Sequence, residues 1–388
     1  MLLNELPEEC LLLIFGSINE LKDLINCYKV CSKWHFLIAE RARKAKYLIG
    51  NTWTYGQKDY ALNRVYYAPE ECINRPYLSK LFVNLKIVDI SPPPGNIISF
   101  NAPTYPVLKL LRDAKHLKGL IDDPSMDYSD KLAHFPNLEM ITINFESMVN
   151  FKVNANVKQI YSHKGRMSPF TWLPVVFPNL ERLHASISDE AAAQYVGSQL
   201  RNLKIIELDL RPHQMSNLVF GFQFLDSCPA LESAYIYAQT LSIIIDDYTK
   251  NKNLKDLVLS FQSEIDWDQL RMLLSKYPNI KHLAIRYNKT LEDQHVIHII
   301  SSLPKLVLLD VRGSYKVTKK AAAFVRNYSE RYGRSIKFYF RRDDEKIAID
   351  WPQFSTRLER VSCGLNFMKH CFLKEFLYLP RFLDPMDD

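Results

Sequence analysis

The chain has 388 residues, 47% of them hydrophobic and 24% charged, with a net charge of +7, the make-up of a globular protein longer than one compact core usually holds. Its 11 glycines are too few for a Gly-rich nucleotide-binding architecture or a disordered chain, and its seven scattered cysteines, an odd number, suit reduced thiols better than a disulfide framework. The apolar run Leu11–Phe15 is short and follows glutamates rather than a basic leader, so neither a membrane span nor a targeting segment is expected, and the location expected is cytoplasmic or nuclear.

The first predicted elements are three short helices. Pro7 suits a first helical position, and Glu8 and Glu9 complement the dipole of that turn. Leu11, Ile14, Phe15 and Ile18 follow at the spacing of one helical stripe. Asn19 is the expected cap of a second helix carrying Leu21, Leu24, Ile25 and Tyr28, and Ser32 opens a third with Trp34, Leu37 and Ile38. Together they carry more large apolar residues than so small a bundle encloses by itself. The order Leu6-Pro7-Glu8, Leu11, Ile14-Phe15, Asp23-Leu24, Val30-Cys31 and Trp34 resembles the F-box. That resemblance implies docking onto the Skp-type adaptor of cullin–RING ubiquitin ligases through Leu6, Pro7, Leu11, Ile14, Phe15, Leu24, Val30, Cys31 and Trp34.

The cluster Arg41, Arg43, Lys44 and Lys46 reads as a solvated helix face that closes this module at about residue 48. Residues 49–80 read as a Tyr-rich connector. Five prolines in 91–106 forbid helix or central strand, and the segment is expected to be a projecting loop.

From residue 81 to 340 a pattern recurs: an apolar residue, two variable, an apolar, one variable, an apolar. Its first apolar positions are Leu138, Leu180, Leu203, Leu231, Leu254, Ile280 and Leu306, and from Leu180 onward the steps are 23, 28, 23, 26 and 26 residues. Each unit reads as a short strand followed by a helix, as at 189–196, 268–274 and 292–300. One such unit cannot bury its own face, so units must stack. The pattern resembles the leucine-rich repeat, which implies an α/β solenoid shaped as a horseshoe, with parallel strands on its concave face and helices on its convex face. The usual turn asparagine is met only by Asn288; elsewhere that place holds Ser188, Gln239, Gln262 or Ser314. Residues 341–388 are expected to form a C-terminal cap and tail, the last stretch, from Cys363, being apolar at helical spacing up to Pro380 and placed to cap the final repeat.

No catalytic motif emerges. Cys27, Cys31 and His35 lack common zinc spacing, and His295 with His298 lacks the acidic companion of a metalloprotease helix. The chain is therefore expected to be a non-catalytic adaptor without cofactors. Strand positions alternating with the buried leucines would line the concave face, among them Gln159, Arg182 and Glu207. Tyr161, His184, Tyr235, Tyr237, Arg286, Asp310 and Arg312 are the candidates there for contacting a target protein. The function implied is that of substrate receptor in an SCF-type ubiquitin ligase. The alternative is a repeat scaffold acting outside ubiquitin transfer; nucleic acid is a weaker partner candidate, resting on net charge alone.

Overall fold

The computed structural model describes the chain apart from residues 1–2, 51–61, 68–77, 92–104, 123–134, 163–164, 188–194, 212–217, 220, 240–241, 244, 246–248, 263, 354–358 and 386–388. It divides into two units, Met1–Thr142 and Ile143–Asp388.

The first unit opens with helices α1 (Glu8–Gly16), α2 (Leu21–Tyr28) and α3 (Ser32–Arg43). Pro7 stands at the N-cap of α1 with Glu8 and Glu9 in its first turn, and the Ser17 hydroxyl ends the helix by donating to the Ile14 carbonyl at 2.6 Å. The expected cap of α2 is displaced: Glu20, not Asn19, is its N-cap. The Asn19 side chain is engaged elsewhere, accepting from the Arg41 guanidinium at 2.6 Å.

Five parallel strands follow, β1 (Tyr47–Gly50), β2 (Arg64–Tyr67), β3 (Ile87–Asp89), β4 (Gly119–Ile121) and β5 (Met140–Thr142), with helices α4 (Leu78–Leu81) and α5 (Tyr105–Asp113) in their crossovers. Their order is β2-β1-β3-β4-β5. Strand formation thus begins at Tyr47, and β2 lies wholly inside the span expected to be a connector. The span expected to be a loop is helical at its described end. Tyr105 and Pro106 open α5, a first-turn place in which proline forfeits no helical bond; residues 92–104 lie outside the described set.

Arg41 joins the helices to this sheet. Expected on a solvated face, it is 2% exposed. It donates to the carbonyls of Leu62 (2.6 Å), Ile18 (3.3 Å) and Arg64 (3.1 Å) besides Asn19. Burial pushes its pKa down to about 10. The Tyr66 amide at the outer edge of β2 donates to the Asn19 carbonyl at 2.7 Å, so the α1–α2 linker covers an edge that would otherwise be open to pairing.

The second unit holds eight parallel strands: β6 (Gln159–Ser162), β7 (Arg182–Ile187), β8 (Ile205–Leu210), β10 (Ser233–Ala238), β12 (Asp256–Phe261), β13 (His282–Arg286), β14 (Leu308–Arg312) and β15 (Lys337–Arg341), neighbours in that order. A two-stranded ribbon pairs β9 (Leu218–Val219) with β11 (Ser242–Ile243). The helices are α6 (Leu173–Val176), α7 (Gly221–Asp226), α8 (Trp267–Ser275), α9 (Asp293–Ser302), α10 (Lys319–Tyr332) and α11 (Asp344–Asp350).

Register follows the sequence period: Arg182 faces Ile205, Ser233 faces Asp256, and His282 faces Leu308. Leu180, Leu203, Leu231, Leu254, Ile280 and Leu306 are all buried, as are the inward strand residues Leu183, Leu208, Ile236, Leu259 and Ile285. The expected helices at 268–274 and 292–300 are α8 and α9; the one at 189–196 falls largely outside the described residues, and Tyr195 and Val196 are not helical.

A polar ladder exists, though not at the position examined in the sequence. The asparagine just before the first leucine of a unit donates its amide to a backbone carbonyl one unit earlier: Asn179 to Ala155, Asn202 to Pro178, Asn253 to Pro229 and Asn279 to Lys252, at 2.7–3.0 Å. Each bond satisfies a carbonyl that the turn leaves without a strand partner.

Within residues 341–388 it is the beginning, not the last apolar stretch, that caps the final strand. That edge is closed by the residues around α11: Asp343 accepts from the Phe340 amide and Lys346 donates to the Phe338 carbonyl, two of the backbone groups that β15 turns outward. The chain then runs back across the strand face as a strap, comprising β16 (Val361–Cys363), a π-helical turn at Met368–Phe372, a 3-10 turn at Phe376–Tyr378 and β17 (Phe382–Asp384), with β16 and β17 parallel to each other.

Candidate functional site

The opening helices present two kinds of apolar residue. Leu11, Phe15 and Leu24 are buried and hold the bundle together, with the Phe15 and Trp34 rings 4.9 Å apart edge to face. Pro7, Ile14 and Val30 face solvent, while Leu6, Cys31 and Trp34 are partly covered. Beside them stand apolar residues the sequence reading missed: Leu3, Leu13 at 77% exposure and Phe36 at 57%. Along α1, Cys10, Leu13, Ile14 and Ser17 share the outward side. The signal was present, because α1 is apolar on nearly every side and only one stripe can turn inward. Lys33 donates to the Asn4 and Leu6 carbonyls at 3.3 and 3.2 Å, fixing the N-terminal turn against the start of α3. A cluster of exposed apolar side chains on a rigid helical frame is the usual mark of a protein-binding surface.

The second candidate, the strand face, is covered. Tyr235, Arg286 and Asp310 are at most 1% exposed and His184 is 4% exposed, because the strap lies over them. Arg286 donates to the carbonyls of Phe372 (2.6 Å) and Lys374 (2.9 Å) and to the Asp310 carboxylate (2.8 Å). The Tyr235 hydroxyl reaches the Lys374 carbonyl at 3.2 Å. Arg182 donates to the carbonyls of Pro380 (2.6 Å) and Arg381 (2.9 Å) and to Glu207 (2.5 Å). Gln159 holds Leu383 by both backbone groups. Between these bonds Phe367, Phe372, Leu373, Phe376, Leu379 and Leu383 pack on Tyr235, Val258, Ala284, Leu308 and Tyr339.

Tyr161 and Tyr237 lie on the rim, partly exposed, each under an arginine: Arg381 over Tyr161 at 5.0 Å and Arg211 over Tyr237 at 5.2 Å. Arg312 is partly exposed and bound to Asp310 and Asp344. The strip expected to meet a target therefore spends its polar groups on the chain's own backbone.

Its electrostatics belong to a core rather than a reaction centre. Burial alone would raise the Glu207 pKa, but the Arg182 guanidinium and His184 outweigh it and hold the carboxyl down at about 2. Asp310 is likewise brought down to about 2, against burial, by Arg286 and Arg312. Burial lowers His184 and raises the Cys371 thiol. Arg312 apart, these groups are at most 4% exposed, and the bonds of Arg182 and Arg286 fix the strap on the strands.

Among the described residues no group of His, Cys, Asp and Glu could hold a metal ion, and no helix is long and apolar enough to cross a membrane. His35 stacks against Tyr28 at 3.7 Å. His295 stacks on Trp267 at 4.4 Å while its Nδ1 accepts from the Glu292 amide, capping α9.

No curated protein matches this chain. The F-box-like family model matches residues 3–43, the span of the three opening helices whose apolar residues face outward. The chain thus carries an F-box-like domain at its first three helices, joined to an α/β region of parallel strands.

Proposed function

We propose that this protein is the substrate-recognition subunit of an SCF-type ubiquitin ligase. The observation that carries the reading is the exposure of Leu3, Leu13, Ile14, Val30 and Phe36 on the domain matched by the F-box-like model. Those side chains would dock on a Skp-type adaptor and through it on a cullin, in the cytoplasm or nucleus. The strand–helix units, whose period and register suit leucine-rich repeats, would hold the target. The chain itself would perform no chemistry. It would raise the effective concentration of a target lysine near the charged conjugating enzyme.

The test separates docking from folding. Purified adaptor should co-elute with the full chain and should not with Leu13→Lys/Ile14→Lys/Val30→Lys, whose changes lie on the surface and, in the C-terminal half of α1, suit helix propensity and dipole. A folded native chain that fails to bind the adaptor, or a triple variant that binds as well as the native chain, would overturn the reading.

A further inference from the structure

Helix α10 is attached to the fold with unusual economy: of its 14 residues only Ala321 and Val325 are buried. Around it the charge is lopsided. Between Arg312 and Arg342 the sequence has ten Lys or Arg and one acidic residue, Glu330. That local excess is larger than the whole chain's +7, so the remainder of the protein is slightly acidic. Some of these cations are neutralised, Arg312 by Asp310, Lys316 by Glu292 and Lys337 by Asp350. Lys319, Lys320, Arg326 and Arg331 on α10 are exposed and form no ion pair with a described residue.

Two of them sit where folding disfavours them. Lys319 and Lys320 occupy the first turn of α10, which contains no acidic residue, although the helix dipole favours negative charge there. An aromatic row runs beside the cations. Phe324, Tyr328 and Tyr332 succeed one another at four-residue steps, with ring centroids 5.7 and 4.5 Å apart. Arg334 lies over Tyr328 and Arg331 over Tyr332, both at 5.7 Å, and Tyr332 is 58% exposed.

We propose that the exposed face of α10 is where the target protein docks, and that the target offers an acidic segment bearing apolar residues. This rests on the substrate-receptor reading. Charge complementarity selects the acid, and the Tyr–Arg pairs, residue types that anchor protein interfaces, select apolar side chains between the acids. A nucleic acid fits less well. Its successive phosphates need a continuous cationic track, whereas Glu330 interrupts this one and Arg334 turns back to the carbonyls of Ile300, Leu303 and Leu306.

The probe is a fluorescein-labelled peptide of about 18 residues, roughly five helical turns, made of Glu, Leu and Ala, titrated by anisotropy into the full chain at low and moderate salt. Saturable binding that weakens with salt is expected. It should fall at least about tenfold in K319E/K320E/R326E/R331E, and severalfold in Tyr332→Ala, which keeps every charge. K319E/K320E alone improves the first helical turn, so it folds at least as well as the native chain and should still weaken binding. Unchanged affinity in the charge variants overturns the proposal, as does tighter binding of a single-stranded oligonucleotide or of phosphatidylserine vesicles than of the peptide. Adaptor co-elution, measured on the same samples, reports on the ligase reading separately, since α10 lies outside the F-box-like domain.

Discussion

Arg182, Glu207 and His184 form an ion cluster with no access to water, and the reason to bury it is the strap. Arg182 meets Glu207 at 2.5 Å, His184 Nδ1 lies 3.0 Å from the same carboxylate, and the guanidinium still reaches two strap carbonyls. A buried charge is tolerated when its bonds are nearly all made, and removing one partner costs several kcal/mol. Glu207 is held at about 2 against an ordinary 4.5, so the folded state binds its proton more weakly than the unfolded chain. The stabilisation is therefore complete above about pH 5 and is lost as pH falls toward 2. Neutral His184, lowered by burial and faced by Arg182 as well as Glu207, adds to the loss in the same direction.

Urea unfolding of the native chain should show stability dropping between pH 6 and 3 by about 2 kcal/mol more than in Glu207→Gln. At neutral pH the variant should be less stable by about 3–5 kcal/mol, because Arg182 is left buried beside a neutral amide. Parallel pH curves would mean that Glu207 titrates normally.

The elements differ in how far the sequence announced them. The helices at 8–16, 21–28 and 32–43 were legible because a helical stripe, and in the first two an acidic first turn, are local signals. So were α8, α9 and the strands β5, β7, β8, β10, β12, β13 and β14, where a repeated spacing speaks seven times, whereas β1 and β2 fell outside it. The strap was not legible. Its contacts are maximally non-local, Gln159 bonding to a residue 224 positions away and Tyr235 to one 139 away, and its apolar spacing imitates a helix while the backbone makes only single turns. What could have hinted at it is the pairing of buried-type charges, Arg182 with Glu207 and Arg286 with Asp310, on neighbouring strands, which a solvated face does not need.

The strap belongs to the core, since each fully buried Phe or Leu on it contributes about 1.5–3 kcal/mol. Phe376 touches the rings of His184, Tyr235 and Tyr237 at 5.1, 5.5 and 6.1 Å. Phe376→Ala should therefore cost about 3–5 kcal/mol, seen as a lower urea midpoint with an unchanged slope. A change under 1 kcal/mol would show instead that the strap detaches freely and that the strand face is open to a target after all.

At the scale of the molecule, the boundary drawn in the sequence after residue 48 divides what the structure joins. The surplus of apolar residues on three short helices already spoke against their standing alone; what the sequence did not show was the residue that ties them to the strands, Arg41, hidden in a run of cations that looked like surface. Arg41 takes its acceptors from Ile18 and Asn19 on one side and from Leu62 and Arg64 on the other, and the Asn19 carbonyl receives the Tyr66 amide. Gly16 belongs to the same seam, because a Cβ there would lie 2.8 Å from the Leu62 side chain. A fragment ending at residue 48 loses the carbonyls of Leu62 and Arg64 and leaves a guanidinium half satisfied in an apolar setting, a penalty of about 1–3 kcal/mol for each lost partner. It also removes the packing of α2 on β2 and of α3 on α4. So small a bundle has little stability to spare. Circular dichroism should therefore find fragment 1–48 largely unfolded at 25 °C, while fragment 1–142, which keeps the whole first unit, melts cooperatively. Arg41→Leu in the longer fragment should lower its melting temperature by several degrees, a shift in proportion to a loss of about 1–2 kcal/mol. If the short fragment were as helical and as heat-stable as the longer one, the F-box-like helices would be an independent domain and the Arg41 seam incidental to their folding.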